Sequence, residues 1–268
     1  MSAQRDSFYV GYLPMPKPVR LAVMIIVPLL LIGVVTTAAI LASTQDDPGS
    51  AAWTLLDESP TGPIELTGVY LEQPYPAVWS NGQLHLLARQ GKFNAAKAAE
   101  AAGIKHGDPV KTTCYTLSRH DQFLYELIND EAIIPVAKTD TSPQASSHPA
   151  VMNQATDRPI NQVVGEVIDP KCYLGAMKPG DGVTHRACAI LCLRGGIPPM
   201  LVDKSGETPV YYLLTDSEGN GIDPENEAFP LEKLLPFVGV STRVTGTISL
   251  HGKQPVLAIQ EIQSAGAK

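Results

Sequence analysis

The residues 169–202, DPKCYLGAMKPGDGVTHRACAILCLRGGIPPMLV, concentrate the side chains of this chain that do chemistry. The spacing is Cys172-x12-His185-x2-Cys188-x3-Cys192. Three cysteines and one histidine form a tetrahedral ligand set for a thiophilic metal, zinc or copper. A helix over Arg186–Leu193 puts Cys188 and Cys192 at i and i+4, with His185 at i−3 on the same face. Cys172 then reaches them from the end of the opposing strand. Gly175, Gly180, Gly182, Gly195 and Gly196 allow a compact looped insertion around the set. Two other readings compete. In an oxidising compartment two of Cys172, Cys188 and Cys192 pair as a disulfide. Cys172 with either partner closes a loop of about 16–20 residues, worth roughly 3 kcal/mol, whereas the i,i+4 pair is a poorer disulfide. Buried free thiols are the third reading. As a redox site the cluster needs an exposed thiolate of lowered pKa, which His185 and Arg186 beside Cys188 could supply. Cys114 falls in a predicted strand and reads as a small buried residue.

Other chemistries lack their residues. The binuclear copper motif needs a histidine four residues after the second cysteine, where this chain has Gly196, and Met200 is one position off. There is no Cys-x-x-Cys-His, no Walker A loop and no dinucleotide fingerprint. The acidic run Asp216–Glu227 does not fit the spacing of an EF-hand and reads as a solvated loop. No catalytic set is visible, so the chain is not expected to be an enzyme. Its net charge of −7 argues against nucleic acid as a partner.

The elements that must position the cluster are strands. Proline is abundant, at 23, and aromatics make only 6% of the chain, which favours strands and turns over long helices. Two segments read alike. The first comprises IELTGVYLEQPYP (64–76), QLHLLARQGK (83–92) and GDPVKTTCYTLSRHDQFLYELI (107–128). The second comprises NQVVGEVIDPKCYL (161–174), PVYYLLTDSEGN (209–220) and GVSTRVTGTISLHGKQPVLAIQEI (239–262). Each opens with a strand carrying an early glycine, Gly68 or Gly165. Each closes in a hairpin with a polar turn, Ser118–Asp121 or His251–Lys253. Alternation is clear at Val244, Gly246, Ile248 and Leu250, and again at Val256, Ala258, Gln260 and Ile262. Short helices are expected at Asn94–Ala102 and near Leu231–Val238, each before its hairpin. This order suggests a small Greek-key barrel of the OB type.

The expected fold class is therefore mainly β: a single N-terminal transmembrane helix followed by one or two small OB-like β-barrel domains. The divisions are a cytoplasmic leader (1–20), the transmembrane helix (21–42), a linker (43–63), a first OB-like domain (64–138), a polar linker (139–160) and a second OB-like domain with the Cys/His insertion (161–264). Leu21–Ala42 is an uncharged apolar run, and about 20 such residues suffice to cross the hydrocarbon core of a bilayer. It exceeds the h-region of a cleaved signal peptide, the rival reading. Arg5, Lys17 and Arg20 precede it and Asp46, Asp47, Asp57 and Glu58 follow it. That asymmetry predicts a cytoplasmic N-terminus in a bacterial inner membrane, with the C-terminal domains in the periplasm.

The block containing Gly165, Asp169, Lys171, Cys172, Tyr173, Leu174, His185, Cys188, Ala189, Cys192, Gly195, Gly196, Ile197, Pro198 and Pro199, with its OB-like ending, resembles an uncharacterised family of bacterial membrane-anchored exported proteins. FYVGYLPMPKP (8–18) resembles the leader of its members. The resemblance implies company with membrane oxidoreductase systems. The topology is also similar to that of the periplasmic haem chaperone of cytochrome c maturation, but His251 lacks that family's following tyrosine. The expected role is a non-catalytic, membrane-anchored accessory subunit of a respiratory or electron-transfer complex. Its partners are the bilayer and integral-membrane or periplasmic oxidoreductase subunits, and the proline-rich segments Gln73–Pro76 and Gly196–Pro199 are its exposed contact surfaces. The alternatives are a metal-binding or thiol-redox protein using Cys172, His185, Cys188 and Cys192, and a ligand-binding OB module.

Overall fold

The computed structural model of the chain describes residues 17–43, 62–137 and 160–266. Most of the expected leader and both expected linkers lie outside the described residues. The chain divides into two compact units, Met1–Asp47 and Pro48–Lys268. Among its described residues the first forms the helix α1 (Lys17–Ser43), with Pro28 inside it. No carboxylate or basic side chain interrupts it beyond Arg20, and its mean hydropathy reaches 2.7, so it is long and apolar enough to cross a membrane. The hydroxyl of Thr37 donates to the carbonyl of Gly33 at 2.8 Å, so this polar group is satisfied within the helix itself.

The second unit is mainly β. Its first half runs β1 (Ile64–Leu71), β2 (Ala77–Ser80), β3 (Gln83–Arg89), β4 (Phe93–Asn94), α2 (Ala96–Ala101), β5 (Pro109–Arg119), β6 (Gln122–Leu127) and β7 (Ile133–Pro135). β1 pairs with both β2 and β5, so the ring β1-β2-β3-β6-β5 closes on itself. β3 and β6 pair in parallel, and the other ring contacts are antiparallel. The second half runs β8 (Ile160–Ile168), α3 (Gly182–Arg194), β9 (Met200–Asp203), β10 (Val210–Thr215), α4 (Leu231–Leu234), β11 (Ser241–His251) and β12 (Gln254–Ser264). Its strands form a closed five-strand barrel, β10-β12-β11-β8-β9, again with one parallel contact, β10 to β12. The two rings have the same order, with a short helix between the third and fourth ring strands, which is the OB arrangement.

The repeat extends to single residues. A Cβ on Gly68 would collide with the carbonyl oxygen of Trp79 in β2, and one on Gly165 with that of Val202 in β9. Each glycine lets its first strand press against the second. Both closing hairpins turn tightly, with His120 and Gly252 at positive φ.

Three apolar clusters hold this unit. One fills the first barrel under α2 and includes Val78, Leu87, Ala98 and Val110. Another fills the second barrel and includes Val167, Leu201, Leu234 and Val244. The third lies between the barrels and joins Leu71, Tyr75, Trp79 and Leu124 to Ile168, Tyr173, Ile197 and Met200. The proline-rich segments expected to be exposed are part of this seam. Pro74, Tyr75, Pro76, Ile197, Pro198 and Pro199 are buried. The Tyr75 hydroxyl donates to the carbonyl of Leu214 at 2.7 Å and accepts from the Ile222 N–H at 2.8 Å. The prolines are internal because they flank apolar residues with which the two barrels meet, and each proline, lacking an N–H, brings one fewer donor to satisfy there.

Candidate functional site

The cluster sits in the connection from β8 to β9. The first barrel makes the equivalent β1–β2 connection with residues 72–76, whereas the second uses 169–199. This insertion contains a wide helical turn, Cys172–Ala176, closed by Met177 N–H donating to the Cys172 carbonyl, and then α3. Asp169 organises the start. It is fully buried, its Oδ1 accepts from the Cys172 N–H at 2.8 Å, and its Oδ2 lies 3.1 Å from His185 Nε2. α3 starts where Gly182, at positive φ, donates its N–H to the Glu166 carboxylate. It stops at Gly195 and Gly196, whose N–H groups turn back to the last carbonyls, Gly196 again at positive φ. Its buried face carries His185, Ala189, Cys192 and Leu193, as the helical spacing required.

Two cysteine sulphurs approach the third. Cys172 Sγ is 4.0 Å from Cys188 Sγ and 3.9 Å from Cys192 Sγ. All three are free thiols, so no disulfide joins them in this structure, and Cys172 stands nearly equidistant from its two candidate partners. The ligand atoms of Cys172, His185 and Cys188 lie within 4.8 Å of one another, as do those of Asp169, Cys172 and Cys192. Met177 adds a fourth sulphur, its Sδ 3.4 Å from Cys188 Sγ. Cys172, Cys192 and His185 are buried, whereas Cys188 is half-buried and Met177 exposed, so the cluster opens to solvent on that side.

The first barrel completes the site. Lys92, in the turn between β3 and β4, brings its Nζ to 2.7 Å from Cys188 Sγ and 3.6 Å from Cys192 Sγ. Lys171, beside Cys172, fixes that turn from below. Its buried ammonium pairs with Glu126 at 2.6 Å and donates to the carbonyls of Arg89 and Gly91. Asn94 N–H donates to the Gly195 carbonyl at 3.1 Å, and a Cβ on Gly195 would collide with the Lys92 carbonyl. The glycine pair after α3 is therefore small because the Lys92 turn passes against it.

The charges follow from this arrangement. The Cys172 thiol is pushed up, first by its hydrogen bond with Cys192 and then by burial. Cys192 is pulled down, first by the same hydrogen bond and against its own burial. Lys92 is held further toward its charged form, first by its contact with Cys188. The cation beside the thiols is thus Lys92. Arg186, expected beside Cys188, turns away to the carbonyls of Leu235 and Pro236.

Of the four sequence-predicted residues, Cys172, His185 and Cys188 form one close group and Cys192 joins Cys172 in a second one with Asp169, which also links to His185. Lys92, Asp169 and Met177 were not among the predicted site residues. Asp169 had a readable signal, since an Asp three residues before Cys172 suits a turn-capping carboxylate. Lys92 had none, because it comes from the other barrel. Cys114 is buried in β5 as expected, with its thiol donating to Thr112 Oγ1. Asp216, in the acidic run, is buried rather than solvated. It accepts from the N–H groups of Glu218 and Asn220 and from the side chains of Asn220 and Asn226, and so shapes its own loop.

No protein family matches the chain, and no curated protein matches it. One solved structure, titled "Structural mimicry for functional antagonism", is similar over 75% of this chain and 92% of its own at 10% identity, with a TM-score of 0.22. A likeness that slight carries no argument about fold or function.

Proposed function

We propose that this chain is a single-span, membrane-tethered module that holds one thiophilic ion, zinc or copper(I), between its two barrels, as an accessory to a membrane oxidoreductase system. One observation carries the metal reading: Cys172 Sγ stands 3.9–4.0 Å from both other sulphurs. A tetrahedral site with metal–sulphur bonds of about 2.3 Å has its sulphurs roughly 3.8 Å apart. Cys172 therefore stands at a coordination-shell edge length from each of the other two thiols. His185 or Met177 supplies the fourth position. Asp169, bonded to His185 and to the Cys172 backbone, has the place of an outer carboxylate that orients ligands. The half-buried Cys188 gives the ion its way in.

Anchoring is supported by the length and composition of α1, and the periplasmic side by the basic residues before it. The oxidoreductase association rests on the resemblance of the 165–199 block. The test is a titration of reduced, full-length protein in detergent with zinc and with copper(I), followed by metal analysis after desalting. One ion per chain is expected, lost in Cys172→Ser and Cys192→Ser variants that keep their β-rich circular dichroism. If the wild type retains no more metal than a variant with Cys172, Cys188 and Cys192 all replaced, the metal reading is wrong.

A second reading, thiol redox chemistry without a metal, is favoured by a separate observation, the ammonium of Lys92 against Cys188.

A further inference from the structure

The shortest contact to a sulphur of the cluster comes from a nitrogen. Lys92 Nζ is 2.7 Å from Cys188 Sγ. Charge-assisted hydrogen bonds between nitrogen and the smaller oxygen already span about 2.7–2.9 Å. Sulphur is larger, and hydrogen bonds to it are correspondingly longer. Lys92 shows that longer separation, 3.6 Å, to Cys192. At Cys188 the two atoms stand closer than a hydrogen bond to sulphur requires, at the separation of a nitrogen and a sulphur bonded to one shared oxygen. Both ends are fixed. The Lys92 turn is held by Lys171 and by the Gly195 carbonyl, and Cys188 is carried on α3. The site is also reachable by a small oxidant, because Cys188 is half-buried beside exposed Met177.

We propose that peroxide converts Lys92 and Cys188 into a reversible N–O–S cross-link that joins the two barrels covalently. The step balances with hydrogen peroxide as the oxidant. One peroxide takes the Cys188 thiol to the sulfenic acid, forming S–O, breaking O–O and releasing water. A second takes the Lys92 amine, its extra proton gone to solvent, to the hydroxylamine and releases water. The two hydroxyls condense with loss of a third water, leaving sulphur and nitrogen on one oxygen. Four electrons have passed to two peroxides. A thiol reductant returns those four electrons, regenerating thiol and amine and releasing the bridging oxygen as water.

A disulfide is the competing product. It requires sulphurs about 2.0 Å apart, and Cys172 is 4.0 Å from Cys188 and 3.9 Å from Cys192. Forming it pulls buried Cys172 out of place, whereas Lys92 and Cys188 need only the oxygen. The cross-link goes beyond the metal reading. A bridged Cys188 no longer offers a thiolate, so the link and a Cys188-bound ion exclude each other.

The test uses reduced, metal-free full-length protein in detergent, treated with hydrogen peroxide and digested without reductant. The expected product is the Lys92 peptide joined to the Cys188 peptide, heavier than their sum by one oxygen less two hydrogens and cleaved by dithiothreitol. Lys92→Arg, which keeps the charge and the hydrogen-bond donors, should abolish it. A disulfide from Cys172, or Cys188 sulfinic acid with the Lys92 peptide unmodified, overturns the proposal. Metal uptake by reduced Lys92→Arg protein is read separately. Retained uptake without any cross-link in the wild type sinks the cross-link alone, and a cross-link in a wild type that takes up no metal sinks the metal reading alone.

Discussion

Asp169 does two jobs with one carboxylate, capping the backbone at Cys172 and holding His185. Both bonds are buried, and a buried polar group left without its partner costs about 1–3 kcal/mol. Asp169→Asn keeps the size and can satisfy only part of that geometry. Its unfolding free energy in denaturant should fall by about 1–3 kcal/mol, and its metal affinity should fall as well if Asp169 orients the ligands. Unchanged stability would mean that the carboxylate is not needed there. The pair of Lys171 and Glu126 makes a sharper case, because removing one partner of a buried ion pair leaves the other unpaired. Lys171→Met should destabilise by about 3–5 kcal/mol, whereas Lys171→Met with Glu126→Leu should recover much of that loss in the same denaturation experiment. The site was partly legible in the sequence at this scale. Cys188, Cys192 and His185 share a face because helical spacing puts them there. Cys172 joins them because the stretch between its helical turn and α3 is short and glycine-rich. Lys92 was not legible, since its part depends on how one barrel seats on the other, and no spacing within 169–202 encodes that.

Individual elements repeat across the two barrels, and their substitutions should repeat too. Gly68→Ala and Gly165→Ala each drive a methyl group into the backbone of the neighbouring strand. Each should lower stability by about 1–3 kcal/mol, the usual range for overpacking. A large loss at one glycine and none at the other would show that the matching positions are not equivalent. Strand β3 also carries a pH signal. Burial pulls His85 down from its usual 6.5, opposed by a hydrogen bond to the Ser80 backbone. The unfolded chain therefore takes up this proton before the folded one does. Stability should be full above about pH 6.5 and fall as the pH drops below it, and His85→Gln should flatten that slope in denaturant melts taken across the range. The same steepness in the variant would assign the slope to other groups. Strand alternation, the early glycines and both polar turns were readable, because each depends on local chemistry. The parallel contacts β3–β6 and β10–β12 were not, because such a pairing leaves no mark in the alternation of either strand.

At the scale of the molecule, the seam between the barrels has an apolar cluster of its own beside those of the two interiors. Tyr75, Lys171 and Lys92 cross it with hydrogen bonds or charge. The barrels should therefore unfold together. Amide hydrogen exchange under mild denaturant should give β5 and β11 the same opening free energy; earlier release of either strand would show two independent domains. Polymer order gives the parallel contacts a further meaning. A chain that emerges N-terminus first can close its first barrel once β6 and β7 are out. The second barrel stays open until β12 arrives to pair with β10. During that interval α3 and Cys172 are present without the wall that holds them, while Lys92 already waits on a finished surface. Closing such distant pairings is slow relative to local structure. The thiols thus stay uncovered until β12 arrives, so what Cys172, Cys188 and Cys192 first meet is settled before the fold is finished.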